Sequence, residues 1–401
     1  MNDFDTLAPE LNRWQQRALI AGGAGLAACL IGGFVAKEVF FHAYLMGFIF
    51  WAGVALGCTA FLMLHHMVGG GWGFIIQRML EAGTRTFPLL AVLFLPLILG
   101  IGQLYEWSHA EVVAADVILK GKSAYLNVPF FLGRAAFYFA VWMALAYFLN
   151  KWSLELDRTG DRQTIRRMQY VSGFGLLLYG LTVTFAAVDW VMSLEPHWFS
   201  TMYGLLFIVG QGVSTLAFLV PVLMLASEHK PLNAVIRPQH FHDLGNLMLA
   251  FVMLWAYISF SQFLIIWSGN LPEENVWYIH RLTEGWQVVA VGLLVFHWAV
   301  PFVLLLSRRT KRSARPLAMV AAGLIVMRLV DLYWLIAPAI GAHGGEGGHK
   351  GGFHWVYLVT PIGIGGLWVW FFLRQLQTRP LLPQGDERWQ EILSHAHEHA
   401  H

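Results

Sequence analysis

Four ionisable residues lie inside otherwise apolar stretches of the chain. Asp189 comes near the end of one stretch, Arg134 near the start of another, and Arg328 and Asp331 share a third. Charged side chains are costly in hydrocarbon and typically mark proton relays or ion and substrate pathways. Arg328 and Asp331 are three residues apart, so on a helix they face the same side and can pair, which would lower the cost of burying them. Alternatively, Asp189 lies at the hydrated membrane interface and has no functional role.

The composition around these residues is that of an integral membrane protein. Of 401 residues, 57% are hydrophobic and 12% are charged, more apolar surface than a soluble domain can bury. The net charge of +2 does not favour a nucleic-acid partner. A membrane span needs about 20 apolar residues. Ten such runs are predicted, at 17–36, 41–65, 87–106, 129–150, 168–193, 199–226, 243–268, 285–306, 316–337 and 354–374.

The distribution of Lys and Arg predicts the orientation of these spans. Basic residues concentrate in the N-terminal arm and in the loops after spans two, four, six and eight, including Arg78, Arg85 and Lys151. By the positive-inside rule both termini are then cytoplasmic. This places Asp189 and the Arg328–Asp331 pair in the outer half of the bilayer. The acidic N-terminal arm does not look like a cleaved signal peptide, so we expect the first helix to be retained.

Other polar residues fall at three levels of the predicted spans. The side chains at the outer mouth are Glu106, Glu195, His197, Glu273 and Glu274, with His280 and Arg281. Those toward the cytoplasm are His65, His66, His242 and Asp243. Those between are Tyr179, Gln211, Tyr257, Gln262 and His297. Together with the deep charges they suggest a polar pocket that opens outward and touches both Asp189 and the Arg328–Asp331 pair, with a proton relay behind it. Taken singly, each could instead be an interhelical hydrogen bond.

The residue types limit the cofactors that this chain could hold. Cys29 and Cys58 both fall in predicted spans, and without a C-x-x-C motif they provide no ligand set for an iron–sulfur cluster or covalent haem. His297 alone lies near the centre of a span, so haem b between facing histidines is not expected. His395, His397, His399 and His401 alternate in a polar tail, where metal binding would be adventitious. No metal site is predicted.

The aromatic content is compatible with a quinone site. The eighteen Trp belong in part to the interfacial belt, and some could line a flat hydrophobic pocket with one or two polar groups for the quinone oxygens. Oxidation of a quinol also needs a base for each released proton, and a carboxylate or histidine serves.

A weak internal repeat relates spans two to five to spans six to nine. The segments G-C-T-A-F-L at 57–62 and S-T-L-A-F-L at 214–219 correspond, as do V-D-W at 188–190 and V-D-L at 330–332. A shift of four spans preserves orientation, so two four-helix bundles are predicted, although chance similarity between apolar helices is the alternative. The predicted parts are an N-terminal arm (1–16), a peripheral helix (17–40), a first bundle (41–194), a second bundle (195–337), an outer loop with a second peripheral helix (338–375) and a cytoplasmic His-rich tail (376–401).

Four longer motifs resemble a known family. They are L-M-L-H-H-M-V-G-G-G-W-G at 62–73, A-V-D-W-V-M-S-L-E-P-H-W-F-S-T-M-Y-G at 187–204, H-D-L-G-N-L-M-L-A-F-V-M-L-W-A-Y-I-S-F-S-Q-F-L-I-I-W-S-G-N-L-P-E-E at 242–274 and R-L-V-D-L-Y-W at 328–334. Together they resemble the ActF-type membrane subunits of bacterial alternative complex III, which belong to the NrfD-like, or polysulfide reductase, family. The resemblance covers nearly the whole chain.

The resemblance implies a ten-helix subunit of a quinol-oxidising complex in the bacterial cytoplasmic membrane, within a respiratory or photosynthetic electron-transport chain. It implies no cofactor in the chain itself, menaquinol as the quinol, and partner subunits that comprise a sister NrfD-like protein, an iron–sulfur protein and haem c proteins. In the family, quinol is oxidised near the outer face. The matching positions are His65, His66, Asp189, Trp190, Glu195, His197, His242, Asp243, Gln262, Glu273, Glu274, Arg328 and Asp331. No catalytic role is carried over to any of them, because the sister subunit is the better candidate for the working quinol site.

Two other functional classes stay open at this level. A secondary transporter also uses repeats and midplane charges, although it would favour helices interrupted at mid-bilayer. A purely structural anchor subunit would carry the same spans without quinone binding or proton transfer.

Overall fold

The protein is all-helical in a computed structural model that describes residues 7–229, 232–283, 285–342 and 353–385. The histidines of the predicted tail, and His343 and His349 of the predicted outer loop, lie outside these ranges. Within the described residues, nine helices are long and apolar enough to cross a membrane, or ten if one bent helix pair is a single span. The chain is therefore a multi-pass membrane protein.

Twelve helices make up the body of the fold. They are α1 (Ala8–Val35), α2 (Lys37–Val68), α3 (Gly71–Thr84), α4 (Phe87–Leu99), α5 (Val128–Thr159), α6 (Arg162–Trp190), α7 (Tyr203–Ala226), α8 (Pro238–Gly269), α9 (Pro272–Leu282), α10 (Trp286–Leu306, π-helical at Leu293–Ala299), α11 (Ala314–Ile336) and α12 (Val356–Leu376). The shorter helical segments are Ile101–Leu104, Glu106–Ser108, Ala110–Ala115, Val117–Lys122, Met192–Leu194, Leu232–Val235, Arg308–Arg312 and Ala339–Ala342.

The predicted third span differs from the structure. The run at 87–106 was expected to follow a loop that carries Arg78 and Arg85, but residues 71–84 form the helix α3, which meets α4 at a bend of 43°. The interpretation as a loop was wrong because polar residues of α3 face the protein interior, where they pair with one another. The helix is thus buried without being uniformly apolar.

Local signals position the helix pair α5–α6. The side chain of Asn127 accepts a hydrogen bond from the Phe130 N–H at 2.9 Å and caps the start of α5. Gly160 ends α5 with a left-handed φ of 61°. Asp161 then caps α6 by accepting from the Gln163 N–H at 2.9 Å. The two long helices therefore run antiparallel side by side.

Helices α2 and α7 form the centre of the molecule, and most residues of their apolar stretches are buried. They contact each other closely at Gly57, where a Cβ atom would lie 2.1 Å from Oγ1 of Thr215. That hydroxyl donates to the Val54 carbonyl at 3.1 Å. Helices α3, α4 and α6 pack beside α2, and α8 and α11 pack beside α7.

Helices α1 and α12 pack against each other through glycines. A Cβ on Gly25 would lie 2.5 Å from the Gly363 Cα, and a Cβ on Gly366 would lie 2.2 Å from the Gly22 nitrogen. Small residues allow such close approach of membrane helices, which associate mainly by van der Waals packing. Helix α12 also packs on α2, whereas α1 is largely exposed.

Candidate functional site

The carboxylate of Asp189 lies at the end of α6 and is bound by two side chains of α5. Nε and Nη2 of Arg134 donate to its two oxygens at 2.8 and 2.9 Å, and the Tyr138 hydroxyl donates at 2.7 Å. Arg134 and Tyr138 are four residues apart and therefore lie on one face of α5. The parallel Arg–carboxylate geometry is that of a strong charge-assisted pair. Asp189 is thus buried and paired with Arg134 and Tyr138, and it is not exposed at the surface.

Arg134 is held on its other side as well. Its Nη1 donates to the Tyr125 carbonyl at 2.9 Å, and its guanidinium lies 3.8 Å from the Tyr125 ring centroid and 4.4 Å from that of Phe130. Such stacking is favourable for a cation that is partly desolvated. The sequence identified Arg134 and Asp189 as candidates, but their pairing across two helices is a finding of the structure.

Arg328 and Asp331 form the ion pair that their spacing predicts, and both are buried. The Trp255 indole of α8 donates to Oδ2 of Asp331 at 3.1 Å. Gly210 of α7 makes room for the guanidinium, since a Cβ there would lie 2.3 Å from the Arg328 Cζ. Three helices therefore enclose this pair.

His297 lies beside this pair in the π-helical part of α10. It is fully buried, and its ring centroid lies 4.2 Å from that of Trp255. Neither ring nitrogen makes a well-formed hydrogen bond within the described residues, although the Met327 backbone and Arg328 are close. Buried polar atoms are nearly always bonded, and π-bulges are frequent at functional sites. Among the described residues, His297 and Nε of Arg328 are therefore buried polar groups of this region with unused hydrogen-bonding capacity.

Glu195 is paired with Arg281 rather than with the deeper charges. Nη2 of Arg281 donates to Oε2 of Glu195 at 2.5 Å and to the Leu335 carbonyl at 2.9 Å, and its Nε donates to the Trp334 carbonyl at 3.3 Å. The guanidinium lies 3.8 Å from the Trp277 ring centroid. This buried arginine ties the break after α6 to α9 and to the end of α11.

The remaining residues of the outer mouth are dispersed. His197 is 48% exposed, and its Nε2 lies 2.6 Å from Oδ2 of Asp116, which caps the short helix Val117–Lys122. The hydrogen bond with His197 is the main cause that lowers the pKa of Asp116. Glu273, which is exposed, and Glu274, which is half-buried, lie in the first turn of α9, where a helix N-terminus favours acids. Glu106 is half-buried at the Glu106–Ser108 turn.

The intermediate level holds two separate polar contacts. The Tyr179 hydroxyl donates to Oε1 of Gln211 at 2.6 Å, which joins α6 to α7. Gln262 accepts from the Ser200 hydroxyl at 3.1 Å and donates from its Nε2 to the Tyr278 hydroxyl at 3.2 Å. Tyr257 is 65% exposed on the outside of α8, away from these two contacts. Helix periodicity could not decide which face of α8 is buried, because both faces are apolar.

The residues toward the predicted cytoplasmic face also have separate neighbours. His65 packs beside Trp72 and Gly73, and Nδ1 of His66 lies 3.2 Å from the Ser172 hydroxyl. The other two polar side chains are bonded within α8, His242 to Asn246 at 3.3 Å and Asp243 to Gln239 at 2.7 Å. In the part of the chain that the structure describes, no group of three His, Cys, Asp or Glu side chains could hold a metal ion.

A buried charge network on α3 was missed from the sequence. Arg78 pairs with Glu81 and Asp157, and Arg379 donates to the same Glu81 at 3.0 Å. The Ser153 hydroxyl donates to Glu81 at 2.6 Å. The signal was present, because Arg78 and Glu81 have the three-residue spacing that identified Arg328 and Asp331.

Two cavities open near the predicted outer face. The larger, of about 620 Å³, lies between α2, α10, α11 and α12, and we call it the aromatic cleft. The Tyr357 hydroxyl of this cleft is buried and has no hydrogen-bond partner among described residues. The smaller, of about 420 Å³, is lined by Lys122, Tyr125 and Phe199 among others. The principal side chains of the aromatic cleft are Trp286, Val289, Val330, Tyr333, Phe353 and Tyr357.

The expectation of one polar pocket that touches both Asp189 and the Arg328–Asp331 pair was wrong. Neither cavity is lined by these side chains, because each carboxylate is enclosed with its own arginine. The aromatic cleft uses the face of α11 that carries Leu329, Val330 and Tyr333, and the ion pair lies on the other face. No protein-family model and no curated protein matches the chain.

Proposed function

We propose that this chain is a membrane subunit of a quinol-oxidising complex in the bacterial cytoplasmic membrane. It contributes a quinone-facing cavity, a proton path, or both, and is not catalytic alone. In this proposal it has ten spans, of which eight form two four-helix bundles and two are peripheral, with both termini cytoplasmic. Its partners are a sister NrfD-like subunit, an iron–sulfur protein and haem c subunits, as the sequence resemblance implies, with menaquinol as the quinol.

The aromatic cleft is the observation that carries this proposal. The rings of Tyr333 and Tyr357 meet edge to face at 4.8 Å, and those of Trp286 and Tyr333 are tilted at 5.1 Å. A quinone head requires flat apolar walls and few polar groups. The buried Tyr357 hydroxyl could donate a hydrogen bond to a quinone oxygen.

The Arg328–Asp331 pair and His297 support the proton path. Oxidation of a quinol to a quinone releases two electrons and two protons, so the protons need a path away from the cleft while electrons pass to the cofactors of partner subunits. His297 is the proposed proton acceptor on geometric grounds, since neither of its ring nitrogens makes a well-formed hydrogen bond within the described chain. Trp255 contacts both His297 and Asp331, which places the three side chains together.

A matched pair of substitutions on α10 tests the role of the cleft. Val289→Trp fills the aromatic cleft, whereas Val291→Trp adds the same ring on the exposed side of the same helix. In the assembled complex, we expect Val289→Trp to lower menaquinol oxidation at least tenfold and Val291→Trp to leave it unchanged, with normal subunit content in both. Full activity of Val289→Trp would overturn the cleft as a quinone site.

A structural anchor is the second candidate, and the saturated pairs at Asp189 and Glu195 favour it. An anchor role predicts that Val289→Trp and substitutions of His297 leave both quinol oxidation and proton release unchanged, provided that the complex assembles.

A further inference from the structure

A third cavity lies at the opposite end of the molecule, where the α3–α4 bend meets α5 and the segment after α12. Its volume is about 520 Å³, and we call it the basic cleft. Three cationic side chains line it, Arg85 from the bend, Lys151 from α5 and Arg379 from beyond α12. Its apolar lining includes Phe87, Pro88, Met143 and Leu154. The cavity therefore combines positive charge with an apolar wall.

The residues that line the basic cleft include three cations and no acid. Glu81 and Asp157 are bound by Arg78, and Glu81 also by Arg379. Arg379 donates further to Oδ1 of Asn150 at 2.7 Å. Both acids are therefore engaged by these two arginines, and Arg85 and Lys151 bring a surplus of positive charge.

Arg85 and Lys151 have no acidic partner among the described residues. Arg85 donates to the Thr378 hydroxyl at 2.8 Å and to the Gln375 carbonyl at 2.6 Å, both of which are neutral, and its buried Nε has no partner. Lys151 is exposed and forms no ion pair within the described ranges. An anion at the cleft could contact both cations.

The position of the cleft corresponds to a membrane interface. Lys151 lies about six helical turns, or roughly 35 Å, beyond the first residue of α5. This distance is slightly greater than the thickness of the hydrocarbon core of a bilayer. Arg85 contacts the end of the spanning helix α12. Beyond the cleft toward the bilayer centre, α4 exposes Val92 and Leu95 beside α5. If the phosphate of a lipid bound Arg85 and Lys151, its acyl chains would thus lie along this apolar surface.

We propose that the basic cleft binds the phosphate of an anionic phospholipid from the predicted cytoplasmic leaflet. Basic pockets between membrane helices on the cytoplasmic side suit lipid headgroups of this kind. Arg85 would contact the phosphate from the bend and Lys151 from the solvent side. The site is independent of the quinone proposal, since it lies on other helices.

Native mass spectrometry of the purified full-length protein tests this site with phosphatidylglycerol and phosphatidylcholine as probes. We expect the parent to prefer phosphatidylglycerol. Arg85→Gln with Lys151→Gln should weaken its binding roughly thirtyfold, as expected for two interfacial cations. Arg166→Gln with Arg167→Gln removes the same charge from exposed positions of α6 and should change little.

Three results would overturn the proposal. They are equal binding of the two lipids by the parent, equal loss of phosphatidylglycerol in the control variant, and displacement of phosphatidylglycerol by inorganic phosphate, which would indicate a site for a free anion. Because Arg85 also contacts Thr378, Lys151→Glu is measured separately. Its side chain is exposed, so the fold should survive, and unchanged lipid preference in this variant would count against the site.

Discussion

Two arginine–acid pairs with the same spacing have different surroundings. Glu81 in α3 accepts hydrogen bonds from two arginines, Arg78 and Arg379, and also from Gln77 and Ser153. Asp331 in α11 accepts from Arg328 and from a single indole, beside a histidine without a well-formed hydrogen bond in the described chain. Helical spacing therefore predicts that a pair forms, but the neighbouring helices decide how much hydrogen-bonding capacity is left over.

The largest expected effect is the loss of stability when Glu81 is neutralised. Glu81→Gln leaves the cations of Arg78 and Arg379 buried with less compensating charge, and breaking a buried pair costs about 3 to 5 kcal/mol. Thermal unfolding of the purified protein in detergent measures this. Glu228→Gln is the control, because its carboxylate is exposed and lies 3.9 Å from Arg315. If Glu81→Gln unfolded at the same temperature as the parent, the charge network around Glu81 would not stabilise the protein as expected.

A second experiment replaces both members of each pair with apolar residues. Arg328→Met with Asp331→Leu should be at least about 2 kcal/mol less destabilising than Arg78→Met with Glu81→Leu, because only the second double change removes the ion-pair partners of further charged side chains. Those charges are Arg379 and Asp157. Equal unfolding free energies for the two double variants would show that the surroundings do not distinguish the pairs.

A smaller change in stability is expected at His297. Because its nitrogens lack well-formed hydrogen bonds within the described residues, His297→Phe should be neutral or stabilising by about 1 kcal/mol. Proton release during quinol oxidation by the assembled complex should nevertheless slow by about a hundredfold, which a pH-indicator dye detects. Leu294→Phe, exposed on the same helix, is the control. A large loss of stability with an unchanged rate would assign His297 to packing alone.

The exposed His197–Asp116 pair should show the smallest effect. Its hydrogen bond lowers the pKa of Asp116 below the ordinary value of 3.8, so its contribution is present above that pH and is lost as the pH falls through the lowered pKa. The difference in unfolding temperature between the parent and His197→Ala should therefore be small near pH 6 and vanish toward pH 3. If the difference in unfolding temperature grew as the pH fell, the expected direction of the pH dependence would be wrong.

The sequence predicted the membrane class and most span positions because apolar runs of this length and number rarely occur in a soluble fold. It also predicted the Arg328–Asp331 pair, whose members share one helix. Pairs between helices, such as Arg134 with Asp189, depend on packing that no spacing encodes. Helix α3 was missed because its buried residues include Gln77, Arg78 and Glu81 among the apolar ones, so its apolar content alone does not identify a span.

The glycine contact between α1 and α12 has a consequence for biogenesis. Among the described helices, α1 packs mainly on α12, which lies more than 300 residues later in the chain, and has a smaller contact with α2. During synthesis α1 must therefore stay in the lipid without its main partner until α12 has been inserted. A nascent chain that stops before Gly363 would lack the surface against which the glycines of α1 pack.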